Sequence, residues 1–502
     1  MQHLGGMGGV GNDRSQPAGI TGGGGYCSAA VPAAPWSISQ VLLATGGRFV
    51  AGSPQARFRA ISTDSRTIEA GDLFVALAGE QHDGLAFVSE AVKKGAAGIV
   101  VARVPEPLPA VPVILVEDTT RALGDLAAYR RSLMPNLKVL AITGSSGKTT
   151  VKEMVAAILE QKMKVLKTRG NFNNLIGMPL SLLPVERQHH VAVLEMGMNQ
   201  AGEIARLAEI ADPDIACINN VQPAHLAGFG DIDGVARAKG ELFAGVKSWA
   251  RLVVNLDDRR VRALARNCVQ EKITYGRHRQ ALVRATYIRN LGPEGMAFTL
   301  SVGEARSRVT IKALGMHNVM NSLAAAAMAH ALGLRLPAIV KGLAAFTGYD
   351  KRLQAQDLAN GLRLINDTYN ANPASMLAAL ATVQGLKRGQ RAVAVLGDML
   401  ELGRESENAH YAIGEAVARL GYEFLLVVGQ YADSVVRGAR NGGMGKLQAR
   451  AFGDKEEIVA SLRALLAKGK LGHGDWLLVK GSRGMRMETV ISGLERAAGE
   501  VS

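Results

Sequence analysis

From Trp36 onwards, apolar residues fall in short runs separated by turn residues, and the character of the runs changes along the chain. DLFVAL at 72–77 and AAGIVVA at 96–102 have strand length and sit between turns, which predicts a small mixed α/β unit. LKVLAI at 137–142 reads as a strand. The polar loop after it leads into Val151, Met154, Val155, Ile158 and Leu159, whose spacing predicts an amphipathic helix beginning at Thr149 and Thr150. HVAVLEM at 190–196, DIACINN at 214–220 and RLVVNLD at 251–257 are continuously apolar, as strands covered on both faces must be. Strands alternating with helical segments imply a parallel sheet between helix layers. Between about 281 and 314 the runs GMAFTLSV and SRVTIKAL alternate in the manner of antiparallel strands, and an alanine-rich helix at roughly 318–332 follows. LRLIND (362–367), RAVAVLGD (391–398), FLLVVG (424–429) and DWLLVKG (475–481) repeat the strand–helix rhythm. No GxGxxG loop accompanies them, so this last unit carries no sign of a dinucleotide.

The pattern predicts an α/β protein of three domains: a small mixed α/β unit at 36–118, a central parallel-sheet unit at 119–347 and a smaller Rossmann-like unit at 348–502. The length of 502 residues suits about three domains. Residues 1–35, with GGMGGVGN and TGGGG, cannot bury a core and are expected to be a disordered extension.

Composition narrows the function. Hydrophobic residues make up 48% of the chain, enough for full cores. The formal charge of +14 invites a nucleic-acid reading. Lysine and arginine are spread along the chain with no basic–aromatic stripe or recognition motif, so anionic small substrates are the better match and no nucleic acid is expected. Cys27, Cys217 and Cys268 have no CxxC spacing, which argues against a disulfide framework or zinc site and fits a reducing compartment. No apolar run approaches the ~20 residues of a membrane helix, and the N-terminus lacks the basic and apolar regions of a secretory signal. A soluble cytoplasmic protein is the expectation.

The strongest local motif is Gly144-Ser145-Ser146-Gly147-Lys148-Thr149-Thr150, set between a strand and a helix. Glycines let backbone amides curl around phosphate oxygens, and a helix N-terminus adds a favourable dipole. Lys148 would meet the β- and γ-phosphates, and the Thr149 hydroxyl would meet Mg²⁺. The early glycine of the general pattern is replaced by Ile142. Glu195 and His225 follow apolar strands, so both belong beyond the carboxyl ends of a parallel sheet, where ligands bind. Mg²⁺ favours carboxylate oxygen, which makes Glu195 the stronger metal candidate and His225 the weaker.

These residues resemble the Mur ligase family, the ATP-dependent amide ligases of peptidoglycan precursor synthesis, whose phosphate loop is of the TGSSGKTT type without the early glycine. The likeness runs through GNFNNLIGMPLSLL (170–183), LEMGMNQAGEI (194–204), NNVQPAHLAGFGDIDGVARAKGELF (219–243), GMHNVMNSLAAAA (315–327), NDTYNANPASM (366–376), GDMLELGRES (397–406) and VKGSR (479–483). It covers the chain from about Trp36 to the C-terminus. Within the family these segments look like those of the ligases that add D-alanyl-D-alanine to UDP-N-acetylmuramoyl-tripeptide.

The resemblance implies a first domain for the UDP end of the substrate, a second for ATP, and a third that closes over the second. Ser62, Asp64, Ser65 and Arg66 are similar to UDP-binding residues. Lys148 would bind phosphates, Thr149 and Glu195 metals, and His225 is similar to a histidine near a second metal. Lys239 aligns with a lysine that is carbamylated in several members; unmodified, it would be an exposed helix lysine. His317, Asn318 and Asn321 match an adenine-contacting HNxxN, and Arg352 and Asp367 resemble residues by which the third domain reaches the nucleotide. Asn171, Asn173 and Asn174 look like substrate-side residues. Tyr369, Asn370, Lys480, Ser482 and Arg483 would lie at the cleft between the second and third domains. YDKRLQ at 349–354 keeps the arginine but departs from the family's flanks. The implied cofactors are ATP and Mg²⁺, the implied partners are the two small-molecule substrates, and a monomer is expected. A family member adding the third peptide residue would carry a DNPR-like motif where this chain has NANP (370–373). A P-loop switch or motor would need no UDP-binding domain, and a non-catalytic paralogue would have lost Lys148 or Glu195.

Overall fold

The computed structural model describes residues 35–79, 83–223 and 226–499. His225 and nearly all of the glycine-rich extension therefore lie outside the described residues.

Three main sheets organise the rest. The first has the order Arg48–Ala51, Val113–Leu115, Gly98–Val101, Leu73–Val75, Ile61–Ser62 and is parallel except for its first strand. The second has nine strands: Ala305–Ile311, Met296–Val302, Val283–Asn290, Glu271–Gly276, Arg251–Asn255, Ile215–Ile218, Lys138–Thr143, Val191–Glu195 and Val165–Lys167. Its first three strands pair antiparallel and the remainder run parallel. The third has six strands: Gln354–Asp357, Arg363–Asp367, Trp476–Lys480, Ala392–Gly397, Phe424–Val428 and Ala449–Phe452, with only the first antiparallel.

Every apolar run named from the sequence contains a strand; those of the parallel sheets bury both faces, whereas Ala305–Ile311 is largely exposed. Leu140 and Ile142 pack with the helix Lys148–Leu159 on one face of the central sheet, while Val139 and Ala141 pack on the other. The alanine-rich segment is the helix Met316–Ala331, with Ala324 to Ala327 wholly buried. Small side chains there let the helix lie close against its neighbours. The helix Lys148–Leu159 begins one residue earlier than the apolar spacing suggests, because Gly147, at φ 78°, supplies the left-handed turn that starts it.

The helix Thr119–Ser132 joins the first sheet to the second. Leu123, Leu126 and Ala127 share one core with Trp36 and Val41 and with Ile204 and Leu207, and the Arg130 guanidinium lies 4.3 Å from the Trp36 ring centre. Among the described residues no helix is long and apolar enough to cross a membrane.

Register places the chemistry. Glu195 pairs with Ile142, and Ile218 with Thr143, so three neighbouring strands end together at one edge of the central sheet. In the third sheet Asp367 and Leu396 both pair with Lys480, which aligns the carboxyl ends of those strands too.

Candidate active site

A cleft of about 1440 Å³ lies where the carboxyl ends of the second and third sheets face each other. Its wall includes Ser145 to Thr150, Glu195, His317, Asn318, Asn321, Arg352, Asp367, Tyr369, Asn370 and Lys480. Most of the ATP-side residues expected from the sequence thus share one cavity.

The phosphate loop is braced from behind. The Ser145 N–H donates to the Asn220 carbonyl at 3.1 Å, and the Ser146 N–H to Asn220 Oδ1 at 3.0 Å. Asn219 Nδ2 donates to the Ser146 carbonyl at 2.9 Å and to Asn321 Oδ1 at 3.1 Å. Tyr275 in turn donates to Asn219 Oδ1 at 2.9 Å. A Cβ at Gly147 would collide with Asn321 Oδ1 and stand 2.7 Å from Asn219 Nδ2, so close approach as well as positive φ requires glycine there. Lys148 Nζ donates to the Gly144 carbonyl at 2.8 Å, across the mouth of the loop. Burial pushes its pKa down; Glu195 opposes that shift and Arg352 adds to it.

Glu195 is 2% exposed. Its Oε2 accepts from the Thr149 hydroxyl at 2.8 Å and its Oε1 from Asn173 Nδ2 at 2.7 Å. The Thr149 hydroxyl also accepts from Arg352 Nη2 at 2.9 Å, an arginine brought by the chain entering the third sheet. Hydroxyl and carboxylate oxygens side by side suit a hard cation. Among the described residues no group of three or more His, Cys, Asp and Glu exists to cage a metal. A cation here would complete its shell with phosphate oxygens and water, which is the habit of Mg²⁺.

Lys239 corrects the expectation of an exposed lysine. It lies on the helix Ile232–Gly245 and is 1% exposed. Burial first, and the neighbouring Lys148 charge second, push its pKa well below the ordinary lysine value. Both causes favour the neutral amine over the ammonium at this place beside Lys148.

His317 is held neutral, with its pKa pushed down to about 4 chiefly by burial. Asn318 and Asn321 are already engaged: Asn318 Nδ2 donates to the Leu314 carbonyl at 2.8 Å, and Asn321 Nδ2 to Asn318 Oδ1 at 3.0 Å. Their placement braces Gly147 as well as facing the cleft.

On the third sheet, Lys480 is 2% exposed and donates to Asp367 Oδ2 at 2.6 Å and to the Asn370 carbonyl at 2.9 Å. Asp367 Oδ1 accepts from the Leu353 N–H at 3.1 Å, beside Arg352. The Arg352 guanidinium lies 4.0 Å from the Tyr369 ring centre. Ser482 is buried and accepts from the Leu400 N–H at 2.9 Å, so it shapes the Met399–Glu405 loop and does not line the cleft. Arg483 is exposed, is paired with Glu488 at 3.3 Å and lies 6.0 Å from the Tyr369 ring centre.

The remaining candidates sit apart. Asn174 Oδ1 accepts from the Gly177 N–H at 2.8 Å, at the start of the helix Gly177–Leu182, while Asn171 is exposed in the loop before it. Ser62, Asp64, Ser65 and Arg66 follow the strand Ile61–Ser62 and do not line the cleft. Arg66 grips Asp64 with two bonds, at 2.9 and 2.8 Å, and lowers the Asp64 pKa to about 2; Ser65 donates to Glu90 at 3.1 Å.

Sequence reasoning passed over Asn219, Asn220, Gln222, Tyr275 and Asn372. Ser145 Oγ donates to the Gln222 carbonyl at 2.8 Å, and Asn372 Nδ2 reaches the Ser145 carbonyl at 3.4 Å. The usable signal was the polar run NNVQ directly after the strand Ile215–Ile218.

Comparison with known proteins places this geometry. The Mur ligase middle domain matches residues 142–329, the Mur ligase glutamate ligase domain 351–483, and the Mur ligase family catalytic domain 57–131. The UDP-N-acetylmuramoyl-tripeptide–D-alanyl-D-alanine ligase of Escherichia coli (strain K12) is 38% identical, over 87% of this chain and 93% of its own length. The ligase of the same name from Bacillus subtilis (strain 168) is 35% identical over 88% and 94%. The crystal structure of MurF from Acinetobacter baumannii superposes with a TM-score of 0.86 at 37% identity, covering 93% of this chain and 100% of that one. MurF ligase from Thermotoga maritima in complex with ADP gives 0.78 at 27%, covering 88% and 98%. A glycine-rich strand-to-helix loop, a buried Thr–Glu corner and an arginine from a facing sheet thus occur in a chain that matches such enzymes over most of its length, and the chain belongs to the Mur ligase family.

Proposed function

We propose that this chain is the ATP-dependent ligase that joins D-alanyl-D-alanine to UDP-N-acetylmuramoyl-tripeptide, in the cytoplasm, as a step of peptidoglycan precursor synthesis. The observation that carries this reading is likeness over most of the chain to relatives bearing that one name, at 38% and 35% identity. The cleft supports it, since ATP chemistry on one sheet faces a second sheet able to bring an amine.

The reaction needs activation because oxide is a very poor leaving group from a carboxylate. A carboxylate oxygen of the tripeptide attacks the γ-phosphorus, the bond to ADP breaks, and an acyl phosphate forms. The neutral amine of the dipeptide then attacks the acyl carbon. The tetrahedral intermediate collapses, its bond to the phosphate oxygen breaks, and amide and phosphate result. Lys148 and the loop amides hold the phosphates and offset charge on the group in transfer. Thr149 and Glu195 would hold Mg²⁺, which supplies further charge neutralisation on the phosphate oxygens when bound. Arg352 reaches the same corner from the third sheet, so closure of that unit both completes the site and keeps water from the acyl phosphate. A carbamate on Lys239 would add an anion to this region.

The domain division at 36–118, 119–347 and 348–502 follows from the same reading, with Ser62, Asp64, Ser65 and Arg66 placed to meet the UDP end. On the amine side, Arg483 is the cation best placed to meet the dipeptide carboxylate, because its present partner Glu488 is reached at the edge of hydrogen-bond range, 3.3 Å. Arg483→Ala is expected to raise the KM for D-alanyl-D-alanine about tenfold or more, the loss of one charge-assisted contact, with little change in the KM for ATP. The assay is coupled ADP release with D-alanyl-D-alanine, diaminopimelate, L-lysine and L-glutamate offered separately. Faster turnover with diaminopimelate or lysine than with the dipeptide would make this the ligase of the preceding step.

A further inference from the structure

Behind the phosphate loop lies a buried charge that the reaction just described does not use. Lys152 stands one turn after Lys148 on the same helix, so the two project from one face. Its side chain is 0% exposed. A buried ammonium is costly unless its protons find acceptors. Lys152 Nζ donates to the Thr168 carbonyl at 2.7 Å and pairs with Glu153 Oε1 at 3.0 Å, and the Tyr349 ring centre is 5.9 Å away, within cation–π range.

These neighbours belong to different parts of the site. The Thr168 hydroxyl accepts from the Glu195 N–H at 2.9 Å, and the Thr168 N–H donates to the Val193 carbonyl at 3.1 Å. Lys152 therefore fixes the strand end from which Glu195 reaches Thr149. The same loop continues to Asn173, which holds the other Glu195 oxygen. Tyr349 lies on the chain that enters the third sheet. Its ring meets Tyr369 edge-on at 6.4 Å and stands 5.9 Å from the Arg352 guanidinium carbon. Neutralising Glu153 does not account for this arrangement, because Lys167, at the protein surface, already pairs with Glu153 at 2.8 Å.

We infer that Lys152 is a positioning residue that couples seating of the third sheet, through Tyr349, to the geometry of the Thr149–Glu195 corner. The inference rests on reading that corner as the cation site of an ATP ligase. It predicts that cation affinity in the nucleotide complex depends on Lys152, while nucleotide affinity without the cation does not.

The test is ADP affinity by titration calorimetry on the full chain, with and without Mg²⁺. In the wild type Mg²⁺ should tighten ADP. Lys152→Met should leave Mg²⁺-free affinity within about twofold and reduce the Mg²⁺ gain about tenfold, the usual cost of losing a group that orients a metal ligand. Tyr349→Leu should lose part of the same gain. The double variant should be no worse than Lys152→Met alone, because both cut one chain of contacts. Should Lys152→Met fail to give the wild-type circular dichroism, Thr168→Val, which cuts the same link at the Glu195 N–H, must show the loss. An undiminished Mg²⁺ gain in folded Lys152→Met, or additive losses in the double variant, would overturn the coupling. Absence of any Mg²⁺ gain in the wild type would overturn the corner assignment, and the coupling with it.

Discussion

Lys148→Ala is expected to lower ligation at least about a thousandfold, or about 4 kcal/mol of barrier, because it removes a charge aimed at the group in transfer. Lys148 Nζ now rests on the Gly144 carbonyl at 2.8 Å, in the mouth of the loop, and makes no hydrogen bond to a side chain among the described residues. Burial weakens its hold on its proton. An incoming polyphosphate opposes that shift and favours the charged ammonium. The UDP substrate should still bind normally, since Ser62, Asp64, Ser65 and Arg66 lie outside the ATP cleft. Steady-state turnover and equilibrium binding of the UDP substrate check the two halves. Turnover above about a tenth of wild type, less than about 1.4 kcal/mol of barrier, would remove Lys148 from the phosphate site.

Lys239→Ala is expected to be nearly inactive, with a loss of about a hundredfold or more for removal of a charge beside the reacting phosphates, and to recover in part on addition of formate or acetate. The basis is a lysine 1% exposed whose neutral form is favoured by burial and by Lys148. A neutral amine adds CO₂, and the carbamate formed is an anion that Lys148 welcomes. A small carboxylate in the space left by Lys239→Ala replaces that anion. The unmodified lysine makes a second, thermodynamic prediction. Its folded pKa lies below its unfolded value, so the unfolded state holds more protons in the window between the two, and stability rises with pH through that window. CO₂-depleted enzyme should therefore gain stability as pH rises towards the ordinary lysine range, and Lys239→Met should reduce that slope, leaving the share that Lys148 contributes. Denaturation in CO₂-free and bicarbonate buffers measures it. A slope unchanged in Lys239→Met, with no rescue by any small carboxylate, would leave Lys239 a plain buried lysine.

Much of the architecture was legible because the central strands bury both faces and so read as unbroken apolar runs. Several of the strands missed lack such a signature, although Val113–Leu115 is as apolar as those found and Glu271–Gly276 was passed over as well. Gln354–Asp357 is a polar edge strand, Val165–Lys167 is three residues of intermediate burial, and Ala449–Phe452 closes the far edge of its sheet. In the site, the phosphate loop and Glu195 were legible because glycine spacing and a carboxylate at a strand end carry their own physical reasons. The burial of Lys239 was not legible because helical periodicity says which face a residue occupies, and only the surrounding packing says that this face is covered. Asn219 and Tyr275 were missed for a related reason. They act on the loop from strands distant in sequence, and their partners become visible only when Tyr275 is seen 2.9 Å from Asn219. Lys480 and Ser482 were both expected at the cleft between the second and third domains; Lys480 lines it and Ser482 does not, and no motif discloses that their side chains bind Asp367 and the Leu400 N–H.

In the proposed reaction a carboxylate is activated by phosphoryl transfer in this cleft and then captured by the dipeptide amine. The direct measurement follows the oxygen atoms. UDP-N-acetylmuramoyl-tripeptide labelled with ¹⁸O in its reacting carboxylate is turned over with ATP and D-alanyl-D-alanine, and the released phosphate is examined by mass spectrometry. The acyl-phosphate route moves one carboxylate oxygen into phosphate for each amide formed, so labelled phosphate should appear in step with ligated product and only when ATP, tripeptide and dipeptide are all present. Unlabelled phosphate accompanying product, or phosphate released at the same rate without the dipeptide, would contradict the account.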